Sequence, residues 1–160
     1  MREFSLLGFA AHLTHIGAEM VSAEHHALEE AALVIETEAK TSIGHYQEQA
    51  GPFAAWEELA EATKQDRVNQ GFPENEPELR TGEMRDSIEH TVLPSGREAE
   101  IGSDSEVLEW QELGTAKMPP RSILGGAAVR KADQVVEIIG GRVYAALIGE
   151  QVAGRRLSIK

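Results

Sequence analysis

Leu79-Arg80-Thr81-Gly82-Glu83-Met84-Arg85-Asp86-Ser87-Ile88 opens the stretch that organises this chain. Glu112-Leu113-Gly114-Thr115 and, after a short spacer, Met118-Pro119-Pro120-Arg121-Ser122-Ile123-Leu124 close it. Between them lies the one clear β-hairpin pattern. Ile88, Thr91 and Val92 sit in a β-prone run, Leu93-Pro94-Ser95-Gly96 is a turn, and Glu98 to Ser103 returns as a second strand. A lone hairpin is marginal in water, so another strand is expected to join it, from residues 105–113, 142–148 or a neighbouring subunit. Gly82 and Gly114 supply turn conformations.

Outward from this centre the pattern turns helical. Residues 5–43 read as a long helix: Leu6, Leu13, Ile16, Met20, Ala27, Ala31 and Val34 fall mainly at three- and four-residue steps. Gly17 or Ser22 offers a break, and the heptad spacing is too irregular to assign a coiled coil. Gly44 suits a C-terminal cap. Residues 53–69 read as a second helix starting after Pro52, with Trp56, Leu59 and Val68 on its apolar side. Residues 70–80, with two prolines and several glutamates, read as a mobile loop. Residues 105–113 fit a short helix or an irregular strand. A C-terminal helical region covers 125–150, interrupted at Gly140-Gly141, with 142–148 resuming as helix or pairing as strand. Residues 151–160 form a basic tail. The expected fold is a single α+β domain: a long N-terminal helix, a second helix, a small mostly antiparallel sheet with a central hairpin, and a C-terminal helix packed on that sheet.

Composition excludes several classes. With 160 residues, 41% hydrophobic and 26% charged, the chain reads as globular. It has no cysteine, hence no disulfide framework and no thiolate metal site. No apolar run reaches the ~18 residues of a membrane span, and no signal peptide is expected. A net charge of −12 argues against a surface made to neutralise phosphates. The charge is lopsided: residues 1–113 carry seven Lys+Arg against 24 Asp+Glu, and residues 114–160 carry eight against three. That asymmetry reads either as a solvated acidic helix face or as two poles suited to head-to-tail packing.

Candidate chemistry is sparse. His12 and His15, three apart, and the adjacent His25 and His26 lack the spacing of a zincin helix. No serine sits in a nucleophile elbow, and the glycine pairs lack a phosphate-loop context. Neither catalysis nor a cofactor or metal is expected. Arg121 follows two prolines on a stiff loop, where it can fork onto a carboxylate or cover apolar surface with its stem. Trp110 fits the core or an interface.

Three blocks carry a resemblance. Thr81-Gly82-Glu83-Met84-Arg85-Asp86-Ser87-Ile88, Glu112-Leu113-Gly114-Thr115 and Pro119-Pro120-Arg121-Ser122-Ile123-Leu124 resemble, in order and rough spacing, three motifs of the phage virion-morphogenesis family. These are the tail-completion and head–tail joining proteins of long-tailed phages. Trp56, Leu59, Thr63 and Arg67 are similar to a stretch preceding the first block in some members. Leu113 stands where the family usually has Phe, and Ser122-Ile123 where it has Pro-Phe. The resemblance implies a structural virion protein at the head–tail junction of a phage, prophage or phage-derived particle, made in the bacterial cytoplasm. It would act in tail completion or as a tail terminator. Copies would form a ring, of six in the expected case, between the tail tube protein and the head-connector or head-closure protein. DNA would only pass through the lumen, with no sequence readout and no membrane. Trp110, Glu112, Gly114, Thr115, Pro119, Pro120 and Arg121 are the interface candidates on this reading; Thr81, Gly82, Arg85, Ser87 and Ile88 form a structural motif. The rival class is an acidic helical adaptor or regulator that binds a host protein with its N-terminal helix, as a groove ligand or a coiled-coil arm.

Overall fold

The computed structural model describes residues 5–148. The expected basic tail at 151–160 and the last two residues of the expected C-terminal helical region lie outside them. α1 (Leu6–Ser42) is one unbroken 37-residue helix, without a break at Gly17 or Ser22. At 1.5 Å per residue it is about 55 Å long. The Ser5 hydroxyl accepts a hydrogen bond from the Gly8 amide, satisfying one of the free donors of the first turn. At the other end Gly44 takes a φ of +97°. Its amide donates to the Pro77 carbonyl at 2.8 Å, tying the helix end to the distant loop.

The second helix is shorter than the sequence suggests. α2 spans Glu61–Asn69 only. Residues 54–60 are not helical because their backbone is committed elsewhere: the Trp56 amide donates to the Gln47 carbonyl and the Leu59 amide to the Tyr46 hydroxyl. Trp56 and Leu59, expected on a helix face, are instead buried from this non-helical segment. The loop at 70–80 is pinned rather than loose. Pro77 is fully buried, Asn75 accepts from the Tyr46 hydroxyl at 2.6 Å, and the buried Arg67 guanidinium donates to the carbonyls of Pro73 and Leu79.

A four-residue helix, α3 (Glu83–Asp86), leads into β1 (Glu89–Val92), which pairs antiparallel with β2 (Ala99–Gly102). His90 faces Ile101 and Thr91 faces Glu100 across the pair. Among the described residues no third strand joins. Instead α1 packs against both strands and supplies the surface that a two-stranded sheet lacks. α4 (Glu106–Leu113) settles the open choice at 105–113 as helix. α5 (Leu124–Ile148) runs straight through Gly140-Gly141 and takes 142–148 as helix.

α5 lies along α1 in the opposite direction. Arg130 and Lys131 pair with Glu38, and Arg142 pairs with Glu30. Buried Ala27, Ala31, Ala32 and Ala39 on α1 meet Ala127, Ala145 and Ala146 on α5, so small side chains bring the two helices close. The core gathers where the C-terminal end of α1 meets the central stretch: Ala39, Ile43, Trp56, Ile88, Leu108, Ile123 and Ala127. The result is the expected α+β architecture, with α1 as the element against which hairpin and C-terminal helix both rest.

Candidate functional site

Two of the three blocks that carry the resemblance, Glu112 to Thr115 and Pro119 to Leu124, meet in one brace. The Glu112 carboxylate, at the end of α4, accepts four hydrogen bonds from the start of α5: Ser122 Oγ at 2.6 Å, and the amides of Ile123, Leu124 and Gly125 at 2.6, 2.9 and 2.9 Å. α5 has no acidic residue in its own first turn. Glu112 therefore supplies, from a different helix, both the acceptors for its free amides and the negative charge favoured at that end. Ser122 Oγ in turn accepts from the Gly126 amide. The resemblance makes Glu112 an interface candidate; its four bonds instead serve the chain's own interior.

Gly114 makes the brace possible. It adopts a φ of +73°, and a Cβ placed there would lie 2.8 Å from the Pro120 nitrogen and 2.9 Å from the Met118 carbonyl oxygen. Only glycine allows the chain to fold back so tightly, with Thr115 and Met118 bridging backbone to backbone and the Arg121 amide donating to the Gln111 carbonyl. Thr115 and Pro120 remain exposed at the outer edge of this turn, with Pro119 half-buried.

Arg121 overturns its expected role. The resemblance makes it an interface candidate. It is buried at 6% exposure, and its guanidinium donates to Glu78 Oε1 at 3.1 Å and to the Glu57 carbonyl at 3.0 Å. Glu78 is itself closed off, on a backbone at φ +65°, a strained position for a residue with a side chain. Burial pushes the Glu78 carboxyl up from its ordinary range, while the charges of Arg121 and Arg67 pull it back. Glu78, Arg67 and Arg121 thus form an interior knot of charge. The sequence gives little sign of it, because Glu78 ends a run of glutamates that reads as solvated.

The first block is structural too. Gly82 takes a φ of +89° before α3, the Thr81 hydroxyl accepts from the Glu83 amide, and Arg85 pairs with Asp86. Ser87 Oγ donates to the Met84 carbonyl and meets Ser103 Oγ at 2.6 Å, joining the block to the far end of the hairpin. Ile88 is fully buried in the core.

Part of the charge asymmetry is used within the chain. Of the cations from 114 to 148, Arg121, Arg130, Lys131 and Arg142 all pair with carboxylates of residues 1–113. These pairs serve the joint between α1 and α5 and the knot around Glu78. One further polar contact was not foreseen. His90, on β1, bonds Glu36 on α1 through Nδ1 and lies 3.3 Å from Glu29 through Nε2. Its hydrogen bond with Glu36 holds the imidazole pKa above its ordinary value.

Beside the brace the surface is apolar. Along α4, Val107, Trp110 and Leu113 are exposed by 46, 50 and 70%. Trp110 is therefore not part of the core. A second exposed stripe runs along α5 through Val136, Tyr144 and Leu147. Among the described residues no group of three or more His, Asp or Glu is arranged to hold a metal ion, and no helix is long and apolar enough to cross a membrane.

No family model, curated protein or solved structure matches this chain. The functional reading therefore rests on the geometry and on the motif resemblance.

Proposed function

We propose that the chain is a structural subunit of the head–tail junction of a phage or phage-derived particle, acting in tail completion or termination. Copies form a ring that meets the tail tube on one side and the head connector on the other. The carrying observation is the pairing of a braced frame with two unlike apolar surfaces. The α4 patch of Val107, Trp110 and Leu113 stands beside the start of α5, and the α5 stripe reaches Tyr144 and Leu147, about 30 Å further along that helix. A head-to-tail contact needs two different surfaces on each copy, held at a constant angle so that the rotation closes. The brace at Glu112 and Arg121 holds α4 rigidly against α5 and so sets that angle. In this reading Glu112, Gly114 and Arg121 shape the interface without lining it, and Trp110 and Leu113 touch the neighbour.

The test has two parts. Mass spectrometry of purified particles from a host carrying the gene should find the protein in the virion; its absence from intact particles refutes the assignment. Trp110→Ser combined with Leu113→Asp should abolish incorporation while leaving the circular dichroism and melting of the subunit unchanged. Particles that still incorporate the double variant at the normal level would place the contact elsewhere.

A further inference from the structure

The hairpin is fastened unevenly. Its base is held firmly: Ile88 is fully buried in the core, and the Ser87 and Ser103 hydroxyls meet at 2.6 Å. Its turn lies over α1, where a Cβ at Gly96 would stand 3.9 Å from Nδ1 of His25. Between base and turn, the alternation of the strands sets His90, Val92, Ala99 and Ile101 on one face, each only half-buried. Ile101 packs against the core; Val92 and Ala99 lie beyond it. Two strands alone are marginal in water, so the outer part of the hairpin depends on its ties to α1.

Among the described residues, the hydrogen bonds from the hairpin to α1 both come from His90. Nδ1 bonds the Glu36 carboxylate, and Nε2 lies 3.3 Å from a Glu29 oxygen, two helical turns back along α1. An ionised carboxylate only accepts hydrogen bonds, whereas a neutral imidazole carries one N–H and one lone pair. Both nitrogens donate only when the ring is a cation. Without its proton the ring turns a lone pair on one of the two carboxylates and loses that bond. We propose that His90 is a proton-dependent latch: as an imidazolium it clamps the hairpin onto α1, and on losing its proton it lets the outer part, from Thr91 to Glu100, lift from the helix about its buried base.

The surrounding charges fit this role. Burial works against the charge of Glu36, but Lys40 bonds its other oxygen at 2.6 Å and, with His90, keeps its pKa low. The clamp's acceptor therefore stays ionised while the ring titrates. On the hairpin itself, Glu89 and Glu100 are exposed on the opposite face by the same alternation. His25 stands beside the turn rather than beside the ring. The hydrogen bond with Glu36, aided by Glu29 and opposed by burial, raises the His90 pKa above its ordinary value of about 6.5. The latch is thus closed below the raised value and opens as pH climbs through it. It operates whether or not copies assemble into the ring proposed above.

Hydrogen exchange tests this, with rates expressed as protection relative to the unstructured chain so that the pH dependence of the exchange chemistry cancels. Between pH 6 and pH 8.5 the ladder amides of Thr91, Leu93 and Glu100 should lose protection by about tenfold, the order expected when a charge-assisted bond is lost. In His90→Asn their protection should be low at both pH values. In His90→Lys, which keeps its charge over this range, it should change by no more than about twofold. Equal protection of these amides at both pH values in the wild type overturns the proposal. So does a tenfold change that persists in either variant. Protection at pH 8.5 as high as that of Ala39 and Ser42 also overturns it, because the hairpin would then leave α1 only when the whole chain unfolds.

Discussion

Arg121 and Glu78 carry opposite charges in a place with little water, and each depends on the other. Removing one partner of such a pair leaves an uncompensated charge in the interior, a loss of roughly 3–5 kcal/mol. Arg121→Ala should therefore lower stability to denaturant by that order. Arg121→Met with Glu78→Leu should recover much of it, because the pair itself contributes little beyond a well-packed apolar replacement. Chemical denaturation of the three proteins checks both. His90 gives a prediction in pH. Its folded pKa is raised, so its contribution is fully present below the unfolded value of about 6.5 and is lost as pH rises through the higher folded value. Glu36 stays ionised throughout that window: burial works against its charge, but hydrogen bonds from Lys40 and His90 outweigh it and hold its pKa low. The wild type should be more stable at pH 6 than at pH 8.5 relative to His90→Asn, whose own stability sets the baseline. An equal pH dependence in both proteins would show that His90 is not the group responsible.

At the scale of elements, periodicity carried the long helix and the hairpin, because α1 and the β1–β2 pair are set by local pattern and turn chemistry. It overran at 53–60, where Trp56 and Leu59 have helical spacing. There, two hydrogen bonds to Gln47 and Tyr46 hold the backbone out of the helix, and those partners are not visible in a local window. Gly140-Gly141 reads as an interruption in sequence and is plain helix in the fold, since packing along α1 overrides a weak propensity. A Cβ at Gly140 meets nothing within 4 Å, and its φ is not left-handed. Gly140→Ala should thus raise the melting temperature, by an amount corresponding to about 0.5–1 kcal/mol. Gly114→Ala should do the reverse, costing roughly 1–3 kcal/mol, because there the new methyl meets backbone that cannot move aside. The brace was legible as a set of residues but not as a mechanism: Glu112 was recognisable, whereas the four donors it satisfies emerge only once α5 begins beside it.

Over the whole molecule, stability is unevenly spread. The C-terminal end of α1 is enclosed by the core, by α5 and by the hairpin, while Leu6, Leu7, Phe9 and Leu13 near its N-terminal end are exposed. Hydrogen exchange at submicromolar concentration should show amides of Leu6 to Met20 opening far faster than those of Ala31 to Ser42, by a factor of a hundred or more. Uniform protection along the helix under those conditions would contradict this. The separation of α1 from α5 along the chain also sets a schedule. Ser42 and Leu124 stand some 80 residues apart, and a ribosome adds about 5–20 residues per second. During synthesis, then, the alanine face of α1 waits roughly 4–16 seconds for the helix that will cover it. Through that interval the alanine face lacks the helix that covers it in the folded chain, so a translational pause before Leu124 would lengthen the exposure.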